Sequence, residues 1–209
     1  MRVHYYLFRQ PVKRDAELSA ENLPVSAYLQ EKFVNFAEYL LIMTEEIFPV
    51  VDEDGNVIGE APRSVCHDGK SMLLHPVVHL HVFNQSGQLY LQKRSMQKDI
   101  QPGKWDTSVG GHVSPGEPVG EALKREVREE LGLNAFKPEF IGKYIWQSSR
   151  ERELVHVFKT VTDEVPVPDK IEIEEGRFWN IEEIMKALSQ EIFSPNFENE
   201  FIKFFSRKD

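Results

Sequence analysis

The chain has 209 residues, 41% hydrophobic and 28% charged, enough for one medium domain with a buried core and no sign of low-complexity disorder. Its net charge of −9 excludes a general affinity for nucleic-acid polymers, which need a basic face, and leaves an anionic substrate dependent on local cations. The single Cys66 excludes an intrachain disulfide, and MRVHYYLFRQPVKRD lacks the apolar centre of a signal peptide. No apolar run approaches the ~18 residues of a membrane span, so a cytoplasmic location away from membranes is expected.

Taken in chain order, residues 1–44 read as an N-terminal, mostly helical extension, and 45–209 as the main domain. Within PVSAYLQEKFVNFAEYLL, Val25, Tyr28, Leu29, Phe33, Phe36 and Leu40 recur with a helical period, and this apolar face offers a surface for a homodimer. EIFPVVDEDGNVIGEAPRS reads as two short strands turning at Asp54–Gly55, and HPVVHLHVFNQSGQLYLQKR as a second hairpin turning near Ser86–Gly87. WDTSVGG is a strand entering a glycine-rich loop. PVGEALKREVREEL is a helix with proline at its start and Gly132 as its stop. FIGKYIWQ and ELVHVFKTV are strands, GRFWN another, and IEEIMKALSQ a helix. A final amphipathic helix opens at Ser194–Pro195 and carries Phe197, Phe201, Ile202, Phe204 and Phe205. The whole is α/β, with helices packed on mixed sheet.

The helix from about Val119 to Leu131 carries an unusual charge pattern. At about 100° per residue, Glu126, Glu129 and Glu130 fall within one arc, beside an apolar stripe of Leu123, Val127 and Leu131. Like charges at this spacing destabilise an exposed helix slightly and a partly buried one more, unless a cation neutralises them. Oxygen ligands at this density suit Mg²⁺ or Mn²⁺. Gly110–Gly111 allow backbone to approach closely, and Glu117 and Arg125 bracket the loop, placed to pair across it. The plain alternative is a solvated acidic helix face.

The full spacing decides against that alternative: Gly111, Glu117, then Arg125, Glu126, Val127, Glu129, Glu130, Gly132 and Leu133. This run resembles the complete signature of the Nudix hydrolases. The resemblance implies an α/β/α sandwich with mixed sheet and a Mg²⁺-dependent cleavage of a small-molecule diphosphate. It also implies that Glu126, Glu129 and Glu130 ligate metal, joined by the Gly110 carbonyl, while Gly111, Glu117, Arg125 and Gly132 are structural. Glu129 is the first candidate for the base that deprotonates the attacking water, and Glu153 the second.

From His75 to Glu117 the chain is also similar, without a gap, to isopentenyl-diphosphate isomerases, which share the Nudix fold. On that resemblance Arg94 and Lys98 match diphosphate-gripping positions. His67, His75 and His112 match metal histidines, with His112 inside the glycine loop placed to touch ions or substrate phosphate. Glu151 and Glu153 match metal and proton-transfer glutamates. Two departures favour hydrolase: the isomerase's catalytic cysteine position is Gly110, and this chain keeps Glu126 and Glu129. An isomerase-like enzyme and a non-catalytic nucleotide-sensing module remain the alternatives. His79 and His81 alternate with Val78, Leu80 and Val82, and read as structural or cleft-lining histidines. Trp105 and Trp179 read as core, and Cys66 as an inert thiol.

Overall fold

The computed structural model describes residues 45–98 and 100–206; the helix expected in 1–44, and the dimer surface read from it, lie outside the described residues. β1 (Ile47–Val51) and β2 (Val57–Pro62) form an antiparallel hairpin. Its turn is held by Asp52 Oδ1, which accepts the backbone N–H groups of Asp54 and Asn56 at 3.0 and 2.8 Å. A four-residue helix follows, α1 (Arg63–Cys66), too short to leave a periodic trace in sequence.

The main sheet has seven strands: β3 (Leu74–Phe83), β4 (Leu89–Arg94), β5 (Trp105–Asp106), β6 (Val109–His112), β7 (Glu139–Gln147), β8 (Arg152–Val161) and β9 (Ile173–Trp179). β3 is its centre, paired parallel with β8 and antiparallel with β4 and β6, so the sheet is mixed. β9 begins earlier than GRFWN suggests because it pairs along β4 from Arg94 to Leu89.

Helices cover both faces, giving the α/β/α sandwich. In α2 (Val119–Leu131), Ala122, Leu123, Val127 and Leu131 are buried against Val78, Leu80 and Val82 of β3. Each of these leucines and valines contributes about 1.5–3 kcal/mol when fully buried. Gly132, at φ 65°, ends α2 with its N–H on the Arg128 carbonyl. The opposite layer holds α3 (Ile181–Ala187) and α4 (Pro195–Phe204), whose Ile184, Phe197 and Phe201 pack on Leu89 and Leu91. Ser194 caps α4, its Oγ accepting the Phe197 N–H at 3.1 Å.

Strand alternation therefore sends even-numbered β3 residues towards α2, while His79 and His81 reach α4. Trp105 and Trp179 meet edge-on, ring centres 5.1 Å apart, in the α3–α4 layer, so both pack core. Among the described residues no helix is long and apolar enough to cross a membrane.

Candidate active site

Three strands position the site. The β6–β3 pairing sets Gly110 opposite His79 and His112 opposite Val77, and the parallel β3–β8 pairing sets Glu153 beside His75. They open on a cavity of about 480 Å³ whose lining includes Arg94, Lys98, His112, Glu126, Glu130 and Glu153.

Glu130 is buried, and its Oε2 accepts the Gln92 amide at 3.0 Å and the Gly110 N–H at 3.4 Å. Burial, reinforced by the charge of Glu126, pushes its carboxyl up to about 8. Burial also raises Glu126, although the adjacent Arg125 guanidinium opposes it. Two crowded carboxylates, one of them enclosed, make a donor set that fits a hard divalent cation. Gly111 is required for this approach, since a Cβ there would lie 2.0 Å from the Glu126 Cδ.

Arg125 ties the loop to the helix. Its Nε and Nη2 donate to the two oxygens of Glu117 at 3.0 and 2.9 Å, and Nη2 also reaches the His112 carbonyl at 2.9 Å. Its Nη1 donates to Glu126 at 2.7 Å and Glu129 at 3.2 Å. Glu129 is set apart from its neighbours: its side chain is 59% exposed and does not line the cavity. Of the two candidate bases, Glu153 is the one in the cavity wall. It is buried, and desolvation together with Glu151 raises its carboxyl to about 8.

Arg94 lies in the wall with Nη1 on Asp106 at 3.1 Å and Nε on the Ile100 carbonyl at 2.9 Å. Lys98 pairs with Glu172 at 2.8 Å. Both cations thus face the cavity already oriented by partners.

His67, His75 and His112, far apart in sequence, converge with one ligand atom each within 4.8 Å of the others. Their Nε2 atoms are buried and without a hydrogen-bond partner. His75 Nδ1 lies 3.0 Å from the Leu73 carbonyl, a contact that fixes Nδ1 as the protonated nitrogen and leaves Nε2 as a lone pair. Burial lowers all three, with Arg63 adding to it, His67 to about 3, so the imidazoles are neutral. Phe48 stacks on His112 with ring centres 4.0 Å apart and closes the cluster. Glu151 Oε2 lies 3.6 Å from His67 Nε2. Three orphaned neutral imidazoles beside a carboxylate fit a transition-metal ion.

Residues that the sequence did not single out complete the site. Gln92 supports Glu130, Trp146 lines the cavity, and Glu200 of α4 binds His79 at 3.0 Å and His81 at 2.5 Å. Only Glu200 left a signal, a carboxylate on the apolar stripe of Phe197 and Phe201. Cys66 is fully buried, and desolvation pushes its thiol up to about 11, which leaves it an inert core residue.

Comparison with known proteins places this geometry. Residues 73–201 match the NUDIX domain family. An isopentenyl-diphosphate Delta-isomerase of Agromyces mediolanus is 34% identical over 61% of this chain and 65%, just under two thirds, of its own length. An uncharacterized Nudix hydrolase of Pseudomonas aeruginosa is 32% identical over 64% of this chain and 78% of its own. A crystal structure from Deinococcus radiodurans, 24% identical, shares the fold with a TM-score of 0.67 over 77% of this chain and 99% of that one.

Proposed function

The chain belongs to the Nudix family, and from that premise we propose that it hydrolyses a diphosphate linkage in a small organic molecule, of nucleoside-diphosphate type or related, using Mg²⁺ or Mn²⁺. The observation that carries this reading is the pair Glu126 and buried Glu130, set against Gly110–Gly111 at the wall of a cavity that Arg94 and Lys98 also line.

The carboxylates of α2 would hold the divalent ions, Glu126 and Glu130 from the cavity and Glu129 from the adjoining exposed face. When bound, such ions neutralise the crowded charge of a diphosphate and favour attack at phosphorus. Arg94, fixed by Asp106, and Lys98 orient the phosphate oxygens. Glu153, buried in the cavity wall, takes the proton from the attacking water at a carboxylate oxygen. The direct test is a panel of diphosphate compounds with Mg²⁺ and Mn²⁺, measuring released phosphate. No turnover on any of them, with the protein folded and metal bound, would remove the reading.

A second reading has its own support. The cluster of His67, His75 and His112 with Glu151 and Glu153 around the same cavity suits an isomerase acting on an allylic diphosphate, the activity named for the Agromyces relative. Against it stands Gly110, which has no side chain to exchange a proton with carbon. Efficient isomerisation of isopentenyl diphosphate in the same assay would reverse the order of the two readings.

A further inference from the structure

In the proposed hydrolysis Glu153 accepts a proton from the attacking water, and an acceptor works only when a lone pair is aimed at its target. Among the described residues its carboxylate has one hydrogen-bond partner: Asn196 Nδ2 donates to Oε2 at 3.4 Å, and Oε1 has none. Asn196 stands in the first turn of α4, 43 positions along the chain, and lines the same cavity as Glu153.

The Asn196 amide is itself held. The Tyr144 hydroxyl lies 2.6 Å from Asn196 Oδ1 and 2.7 Å from Glu200 Oε2, so its one hydrogen is shared between two acceptors. The β7–β8 pairing sets Trp146 opposite Glu153 and Tyr144 opposite Val155, which puts Tyr144 and Glu153 on one face of the sheet. Asn196 and Glu200 are one helical turn apart on α4 and meet that face together. Glu200 is fully buried and bonded to His79 and His81, which anchors this side of α4 on the sheet. A carboxylate that is to take up a proton only accepts hydrogen bonds. The amide must therefore turn Nδ2 to Glu153 and Oδ1 to Tyr144, and with both ends occupied it has one orientation.

We infer that Asn196 is a positioning residue for Glu153, with Tyr144 locking its amide: the bond to Oε2 fixes the rotation of the carboxylate and leaves Oε1 for the water. The inference rests on the hydrolytic reading and on Glu153 as its proton acceptor. A bond of 3.4 Å is long, so its effect falls on aim rather than on stability. Loss of such aim costs about 10- to 100-fold in rate.

The experiment is steady-state kinetics of the full chain on the diphosphate that the wild type turns over, with Mn²⁺ binding measured calorimetrically. Asn196→Ala should lower kcat about 10-fold or more, with KM and Mn²⁺ affinity unchanged. Asn196→Gln keeps the amide on a longer stem and should recover part of that loss. Tyr144→Phe keeps the packing of β7, frees the amide to turn and should lower kcat by a smaller factor; it decides the matter if Asn196→Ala does not fold. In a Glu153→Gln background both substitutions should change kcat by less than about 2-fold, because no proton acceptor remains to be aimed. Unchanged kcat in folded Asn196→Ala, or in Tyr144→Phe in its place, overturns the inference and leaves the hydrolytic reading standing. An equal fall in the Glu153→Gln background does the same, since it shows a role that does not pass through Glu153. Full turnover in Glu153→Gln alone also overturns the inference, by removing the acceptor. Wild-type protein that binds Mn²⁺ but turns over no diphosphate overturns both.

Discussion

Glu130 and Glu153 are the residues at which the ordinary rules of charge are most visibly broken. Each is a carboxylate held near 8 by burial, against an ordinary value of 4.5. Between those two values the folded chain binds more protons at these two sites than the unfolded one, so their contribution to metal-free stability falls as pH rises. His67, His75 and His112, held neutral, give the opposite slope below about 6.5, so the net loss belongs to the range from about 6.5 to about 8. Melting curves in a chelator across that range should show the loss, and Glu130→Gln should flatten it. At the proposed site a divalent ion would replace the proton, so Mn²⁺ should raise the melting temperature more at pH 8 than at pH 5.5. On activity, Glu153→Gln should cost about 100-fold in kcat with metal affinity intact, the signature of a lost proton acceptor. Glu130→Gln should instead lose metal-dependent turnover together with metal binding.

Elements hold these residues in place, and two of their ends are exacting. The end of β6 can lie against α2 only because Gly111 leaves room for Glu126. Gly111→Ala should leave a folded protein whose metal-dependent turnover is largely gone, measurable as weakened Mn²⁺ binding with an unchanged circular dichroism spectrum. At the start of α4, Ser194 caps the helix and also donates to Asp106 at 2.8 Å, which in turn holds Arg94. Ser194→Ala should cost about 1 kcal/mol of stability. Kinetics should also show a higher KM, since Arg94 loses part of its support; a stability loss with unchanged KM would separate the cap from the site. Helix α2 was fully legible in sequence because the 3.6-residue period, the proline before it and Gly132 after it all mark the same segment. The exposure of Glu129 was not, since an arc of about 100° contains both the cavity edge and the solvent edge of a helix.

In the molecule as a whole, one cavity borders two clusters, the α2 carboxylates through Glu126 and Glu130 and the His67–His75–His112 group through His67 and His112. Mn²⁺ titrations should therefore resolve two classes of site, one lost in Glu130→Gln and the other in His67→Ala; a single class removed by either change would merge them. The sequence by itself determined the family, most of the described strands and the longer helices, and the glycine–glutamate spacing, because all of these are local: a period, a cap or a motif is complete within one segment. It also placed His79 and His81 on one strand face. Only the tertiary structure decided what those faces meet. His79 and His81 reach Glu200 across 121 and 119 positions of chain, and α4 arrives there because its phenylalanines pack on β4. His67 and His112 come together only when β6 pairs with β3 and the β1–β2 hairpin brings Phe48 over them. Such convergence depends on packing between segments, and no spacing within a segment encodes it.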